Sequence, residues 1–302
     1  MGNTQAIAAS SAAPSLSSRL RDYYILTKPE VNLLILMTTS AGYYLGARGP
    51  LHVAGMLNTL IGTLAVASGT ATLNQWMERH WDAQMRRTSN RPLPAGRLKA
   101  AHALLFGIVV SIAGGLYLAA LVNWAASLLA VLTLLSYLLI YTPLKRKTAL
   151  CTLLGAFPGA MPTLIGWAGS AGRVDRHAWF LFAILFLWQF PHFLAIALMY
   201  RDDYARAGYR MLPRFDRDAH FTHAEILVFT FALMITTLLP VLGSVGPAYL
   251  AAMSLAGMFM LYHCMKLARS SSTRLASRVV HASVIYLPIV LAVLVGSKAL
   301  KS

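Results

Sequence analysis

Apolar residues follow one another along the chain in long runs, and short polar segments separate these runs. About twenty consecutive apolar residues cross a bilayer as a helix. Nine runs come close to that length, and several connections between them are only a few residues long. The pattern therefore predicts an all-α, polytopic membrane protein whose neighbouring spans form antiparallel hairpins. The predicted spans are 29–47, 51–73, 101–121, 123–142, 149–169, 178–199, 225–242, 246–266 and 279–297.

Composition supports this fold class and excludes several others. Hydrophobic residues make up 57% of the 302 residues and charged residues only 12%, about half the share of a soluble domain. The two cysteines, Cys151 and Cys264, form no metal or redox motif. The segment 1–18 is rich in Ala and Ser and lacks a basic start, so it is expected to be a disordered cytoplasmic tail, not a signal peptide. Residues 19–302 are expected to form a single transmembrane domain.

The net charge of +16 sets the predicted orientation of the chain. Nucleic acid is excluded as a partner, because the basic residues lie in short clusters between apolar runs and not on a water-exposed domain. With the N-terminus in the cytoplasm, 21 of the 26 Lys and Arg residues lie on the cytoplasmic side, as the positive-inside rule requires. We expect a bacterial inner-membrane protein with its polar loops, and any active site, on the cytoplasmic face.

Nine of the ten acidic residues also lie on this inward side, and only Asp175 lies on the other side. They either balance the charge of the cytoplasmic loops or form a site. Asn74, Glu78 and Asp82 stand at i, i+4 and i+8, which places their side chains on one helix face. Two carboxylates and an amide in a row are typical ligands for Mg²⁺, which often bridges carboxylates to substrate phosphates.

Arginines directly follow the acidic stripe. Arg87 and Arg91 carry planar guanidinium groups, which suit phosphate oxygens. A metal on one side and guanidinium groups on the other would form a diphosphate site. The alternative is a solvated amphipathic helix whose charges form ion pairs, and spacing alone does not decide between the two.

The wider pattern resembles a known family. The run Asn74-x-x-x-Glu78-x-x-x-Asp82 with its Arg-Thr-x-x-Arg-Pro-Leu continuation is similar to the first signature of the UbiA-type intramembrane prenyltransferases, and in particular of their haem O synthase subgroup (protohaem IX farnesyltransferases). The resemblance covers about residues 20–265. Further similar segments are Thr27–Asn32, Tyr141–Arg146, Trp188–Phe193 and Asp202–Pro213.

The resemblance implies a UbiA-type helical bundle and a Mg²⁺-dependent transfer of the farnesyl group of farnesyl diphosphate to a vinyl group of haem B, which forms haem O. Haem A synthase is an expected partner. Quinone-pathway relatives carry a second Asp-x-x-x-Asp motif, but Met199 stands four residues before Asp203 here, which counts against a quinone precursor as the acceptor. A transporter is the other alternative, although transporters place ionisable groups near the membrane midplane and the predicted spans contain almost none.

The resemblance also implies roles for individual residues. Asp202 or Asp203 binds a second Mg²⁺, and the other aspartate pairs with Arg201 or Arg206. His192 contacts the haem iron or a propionate, handles a proton at the vinyl group, or only packs. The implied catalytic residues are Asn74, Glu78, Asp82, Asp202 and Asp203; the metal ligands Asn74, Glu78, Asp82 and Asp203; the diphosphate-binding residues Arg87, Arg91, Lys145 and Arg146; and the haem-binding residues His192, Trp188 and Tyr204.

Overall fold

The structure, a computed structural model, describes residues 15–239 and 246–299. All regular secondary structure in these residues is helical. Helix α5 continues through a π-helical turn, Ser136–Tyr141, into α6, and a 3₁₀ turn follows α9. The helices are α1 Leu16–Leu26, α2 Pro29–Gly46, α3 Val53–Asp82, α4 Ala100–Leu121, α5 Trp124–Leu135, α6 Thr142–Leu144, α7 Cys151–Ala171, α8 Arg176–Met199, α9 Arg201–Arg206, α10 His220–Leu238, α11 Pro247–Arg269 and α12 Thr273–Ala299.

Eight of the nine predicted spans are confirmed as helices long and apolar enough to cross a membrane, in the part of the chain that the structure describes. The last residues of the predicted span 225–242 lie outside that part. The predicted span 29–47 forms the 18-residue helix α2, which is not among the eight. Its polar residues explain the difference, because Asn32, Thr38 and Thr39 are buried inside the bundle. Helix α2 therefore falls short of the mean hydropathy that the eight other spans reach.

The distribution of side chains is that of a membrane bundle. Large apolar residues such as Leu33, Leu105 and Leu116 are more than 60% exposed, whereas polar residues such as Thr72 and Thr230 are fully buried. Exposed apolar surface on this scale needs an apolar surrounding. The buried hydroxyl groups donate to backbone carbonyls of their own helix, which satisfies them without water.

Small residues allow the inner helices to approach closely. Gly42 and Gly46 of α2 face Thr163 and Trp167 of α7, and a side chain at Gly42 would collide with the Thr163 carbonyl. A Gly-x-x-x-Gly spacing such as Gly42 and Gly46 is typical of close helix packing in membranes. In the second such pair, Gly155 faces the ring of Tyr141 and Gly159 faces the side-chain amide of Gln189.

Three features bring polar residues to one end of the bundle, which we call the inward end. Helix α3 has 30 residues, about 45 Å, and so exceeds the bilayer core with its last turns. The π-helical turn and α6 deliver Lys145 there, and α9 follows α8 on the same side.

Residues 1–14 lie outside the described residues, but α1 begins at Leu16, so the tail predicted over 1–18 extends too far by three residues.

Candidate active site

The acidic stripe of α3 forms a buried ladder at the inward end. Asn74, Glu78 and Asp82 are 1%, 5% and 1% exposed, and the Asn74 amide donates to Glu78 Oε2 over 2.9 Å. The three side chains therefore share one face, as their spacing predicts. A solvated helix face is excluded, because none of the three is open to water.

Each member of the ladder has a cationic partner from another part of the chain. Lys145 Nζ donates to both oxygens of Glu78 at 2.9 and 3.2 Å, and Arg91 Nη1 donates to Asp82 Oδ2 at 2.7 Å. Lys28 Nζ donates to Asn74 Oδ1 at 2.9 Å. We call these six residues the inner cluster. A low surrounding dielectric strengthens every one of these charged contacts.

The charges of the inner cluster shift the pKa values of the groups that border it. Burial by itself would lower the pKa of Lys145, but the charge of Glu78 and the nearby hydroxyl groups of Tyr141, Tyr137 and Tyr209 together outweigh burial and hold that pKa well above its ordinary value. Burial, with Arg91 and Lys145 nearby, lowers the pKa of Lys28 to about 7. Burial and the nearby charge of Glu78 raise the pKa of Tyr209.

The π-helical turn fixes the position of the ladder and of Lys145. The Thr142 hydroxyl accepts from the Asn74 amide at 3.2 Å and donates to the Tyr137 carbonyl at 2.8 Å. The ammonium of Lys145 lies 4.5 Å from the centre of the Tyr141 ring, a cation–π contact. Single π-helical turns are frequent at functional sites, because they redirect side chains within a helix.

The second acidic site is organised differently. Asp203 is 8% exposed, accepts from the Arg87 backbone N–H at 3.2 Å and forms an ion pair with Arg206. Asp202 is exposed. Arg201 donates to the backbone carbonyl of Arg217 instead of pairing with either aspartate.

The ladder fits a magnesium ion by the chemistry of its donors. It offers two carboxylates and one amide oxygen, and Mg²⁺ is commonly held by one or two carboxylates together with waters and substrate phosphates. Among residues 15–239 and 246–299, no three His, Cys, Asp or Glu side chains lie close enough to hold a metal ion. Asp203 therefore does not join Glu78 and Asp82 in a cluster of three carboxylates.

Arg87 and Arg146, both predicted to bind diphosphate, lie against aromatic rings. The Arg87 guanidinium is 4.9 Å from the Tyr200 ring and 5.7 Å from the Tyr204 ring, and it donates to the Tyr204 hydroxyl. The Arg146 guanidinium lies 4.3 Å from the Trp81 ring. Of the four predicted diphosphate-binding residues, Arg91 and Lys145 contact the ladder.

A cavity of about 510 Å³ opens beside Asp203 at the inward end, and we call it the mouth cavity. It lies between the turn that follows α3 and the junction of α8 with α9. Its lining residues are Arg86, Arg87, Met199, Tyr200, Asp202, Asp203 and Arg206.

His192 and Trp188, predicted to bind haem, pack together against α12. Their rings stack with centres 4.7 Å apart, and Trp188 Nε1 donates to the Ser283 carbonyl at 2.8 Å. His192 Nδ1 lies 2.7 Å from Ser283 Oγ, whose proton goes to the Val280 carbonyl. His192 therefore donates from Nδ1 and keeps a lone pair on Nε2. Tyr204, the third predicted haem contact, lies beside Arg87 instead.

Four residues of these networks were not predicted as site residues: Lys28, Thr142, Tyr209 and Ser283. Lys28 and Thr142 stand in segments that the sequence singles out, Thr27–Asn32 and Tyr141–Arg146. Their polar side chains directly beside a span were the available signal. Ser283 gave none, because it is one hydroxyl within an apolar run.

Comparison with known proteins identifies the family. The model of the UbiA prenyltransferase family matches residues 35–285. The chain is 47% identical to the protoheme IX farnesyltransferase of Solibacter usitatus over 90% of this chain and 96% of that protein. It is 43% identical to the protein of the same name from Koribacter versatilis, over 93% and 94% of the two chains.

Solved structures are similar in fold. A digeranylgeranylglyceryl phosphate synthase structure superimposes with a TM-score of 0.74 at 19% identity, over 92% of this chain and 98% of the other. A UbiA homologue from Archaeoglobus fulgidus bound to DMAPP and Mg²⁺ gives a TM-score of 0.67 at 16% identity, over 90% and 99%. At these identities the likeness shows the fold alone.

Proposed function

The chain belongs to the UbiA prenyltransferase family and is a membrane-spanning prenyltransferase; we propose that it transfers the farnesyl group of farnesyl diphosphate to a vinyl group of haem B, which forms haem O. The choice of substrates rests on the relatives named protoheme IX farnesyltransferase, which share up to 47% identity over most of both chains. The observation that carries the chemistry is the inner cluster, in which two buried carboxylates and one amide oxygen hold Lys145, Arg91 and Lys28 at one point.

The reaction needs a group that stabilises the leaving diphosphate. When the allylic C–O bond breaks, negative charge moves onto the diphosphate and positive charge onto C1 of the farnesyl group. Mg²⁺ held by Asn74, Glu78 and Asp82, with Asp202 or Asp203 for a second ion, would act as a Lewis acid toward that charge. Arg91, Lys145 and Lys28 would turn part of their hydrogen bonding from the ladder to the phosphate oxygens, which places fixed donors where charge develops.

The haem vinyl group and a water molecule complete the reaction. The vinyl group attacks C1 of the farnesyl group, and water adds to the resulting porphyrin-side cation and loses a proton, which leaves a hydroxyl group. Such a cation must meet little water before the vinyl group arrives. Burial of the ladder among apolar helices supplies that dry surrounding, while the farnesyl chain lies among apolar side chains.

The haem is proposed to contact α8 and the residues beside it. His192 would face it with the lone pair of Nε2, with Trp188 behind the imidazole and Tyr204 nearer the inward end. We further propose that residues 19–302 act as one domain in a bacterial inner membrane, with the N-terminus and the site on the cytoplasmic side. Haem A synthase is the proposed acceptor of the product.

The pigment that the chain produces tests the proposal. Membranes that contain the chain are supplied with farnesyl diphosphate, haem B and Mg²⁺. The extracted haems are then separated by chromatography and identified by mass spectrometry. Haem O is expected, and it is expected to disappear when a chelator removes the divalent cation. A prenylated hydroxybenzoate or naphthoate without haem O would reject the proposed acceptor, and full turnover in chelator would reject the metal.

A further inference from the structure

The mouth cavity carries an excess of arginine over acid. Arg86, Arg87 and Arg206 line it together with Asp202 and Asp203. Its volume of about 510 Å³ lies within the range of pockets that hold small molecules. The proposed chemistry uses Asp202 or Asp203 for a second ion, but it gives no role to the Arg86 and Arg87 side chains beside them.

Two of the three arginines are available to an incoming anion. Arg206 forms the ion pair with Asp203, which also accepts from the Arg87 backbone. Among the described residues, no carboxylate lies within salt-bridge distance of the guanidinium groups of Arg86 or Arg87. Arg87 is instead held in place by the rings of Tyr200 and Tyr204. A guanidinium group positioned in this way pairs with a carboxylate through two parallel hydrogen bonds.

A partly open stripe of α8 runs from the mouth cavity toward His192. Met199, Ile196 and His192 follow at intervals of three and four residues, so they share one helix face, and all three are partly exposed. Their neighbours Leu194 and Ala195 are fully buried. The stripe is about 10 Å long and ends at the imidazole. A molecule that fits both parts has an anionic end and a flat apolar body.

We propose that the mouth cavity binds the two propionate carboxylates of the tetrapyrrole acceptor, whose ring lies along this stripe with its iron toward His192. The inference rests on the proposed function, since it takes haem B as the acceptor. It separates the two anionic substrates by charge: the diphosphate goes to the inner cluster, where three cations surround the buried ladder. The two singly charged carboxylates go to Arg86 and Arg87.

A pair of haem probes tests the assignment in the purified full-length chain. Haem B and its dimethyl ester, which lacks both carboxylate charges, are titrated by absorbance without prenyl diphosphate. We expect Arg86→Gln to weaken binding of haem B about tenfold, which corresponds to about 1.4 kcal/mol. Binding of the ester should be equal in the two proteins and weaker than that of haem B to the unmodified chain. Arg274→Gln, an exposed arginine at the start of α12, is the matched control and should leave all these affinities unchanged.

The other outcomes separate this inference from the proposed function. If the unmodified chain makes haem O but binds the ester as tightly as haem B, the mouth cavity is not a propionate site and the function stands. If Arg86→Gln raises the KM for farnesyl diphosphate and leaves haem affinity unchanged, the cavity binds diphosphate and the inference is overturned. If the unmodified chain makes no haem O, the proposed function fails, and the inference fails with it.

Discussion

The inner cluster and the mouth cavity are built from the same residue types and partly from the same segment, 74–91, yet they differ in burial. Glu78 and Asp82 are at most 5% exposed, and each is held by a cation: Glu78 by Lys145 and Asp82 by Arg91. In the mouth cavity the side chain of Arg206 is 42% exposed, and Asp202 is open to solvent. The difference teaches that burial, more than composition, divides these charges between a preorganised reaction centre and an adaptable binding surface.

The difference in burial sets how much free energy is lost when one partner of an ion pair is removed. Removing one partner of a buried pair leaves an uncompensated charge, which costs about 3–5 kcal/mol. Exposed pairs contribute about 0–1 kcal/mol, because water and salt replace the lost partner. Substitutions in the two regions should therefore differ in kind as well as in size.

The largest effect is expected at the ladder. Glu78→Gln and Asp82→Asn should each lower haem O formation by about 10³-fold or more, because each removes a charge needed where the diphosphate departs. Product is measured in membranes with equal amounts of inserted protein. Asp175→Asn, at the opposite end of the bundle, is the control and should keep full activity. Near-normal product from both ladder variants would reject the assignment of the reaction to the inner cluster.

Breaking the ion pair of the ladder should also destabilise the fold. Lys145→Met removes the partner of Glu78, and we expect a loss of about 3–5 kcal/mol in the free energy of unfolding. Thermal unfolding in detergent measures the effect. The double variant Lys145→Met with Glu78→Leu should recover much of the loss, since neither charge of this pair remains. A single variant as stable as the unmodified chain would show that Glu78 finds water or another cation.

An intermediate effect is expected at Ser283, which holds His192 without contacting the acceptor. Ser283→Ala should weaken haem B binding about 10- to 100-fold, as loss of a partner behind a metal-binding imidazole generally does. The KM for farnesyl diphosphate should stay unchanged, and the haem absorption spectrum should shift as it does in His192→Ala. Ser283→Thr, which restores a hydroxyl, should recover binding. Equal losses in haem and diphosphate use would indicate a packing role for both residues.

The smallest effect is expected for the ion pair of the mouth cavity, in which Asp203 is buried but the Arg206 side chain is 42% exposed. Arg206→Gln should change the free energy of unfolding by less than about 1 kcal/mol, because Asp203 keeps the Arg87 backbone N–H as a donor and solvent reaches the site. Urea or thermal unfolding beside Lys145→Met gives the direct comparison. A loss as large as that of Lys145→Met would mean that the two regions do not differ in the way their burial indicates.

The spans and the ladder could be predicted because both depend on local patterns. Runs of apolar residues predict the long helices among α3 to α12, and a spacing of four puts Asn74, Glu78 and Asp82 on one face of a helix. Two of the three partners of the ladder are not local, since Lys28 is 46 residues from Asn74 and Lys145 is 67 residues from Glu78, whereas Arg91 is nine residues from Asp82. Ser283 is 91 residues from His192, and no single-sequence pattern connects them. Helix α2 fell short as an apolar span because its polar residues face protein.

Dependence on distant partners has a consequence for how the chain is made. Ribosomes add about 5–20 residues each second, so Glu78 is synthesised about 3–13 s before Lys145. Throughout that interval the Glu78 carboxylate lacks the ammonium group of Lys145, which follows α6. The interval between Glu78 and Tyr209 is longer still. The nascent hairpin of α3 and α4 must therefore keep its inward end, which carries Glu78, in the headgroup layer or inside the insertion machinery. Biogenesis of the protein is complete only when the downstream helices have joined it.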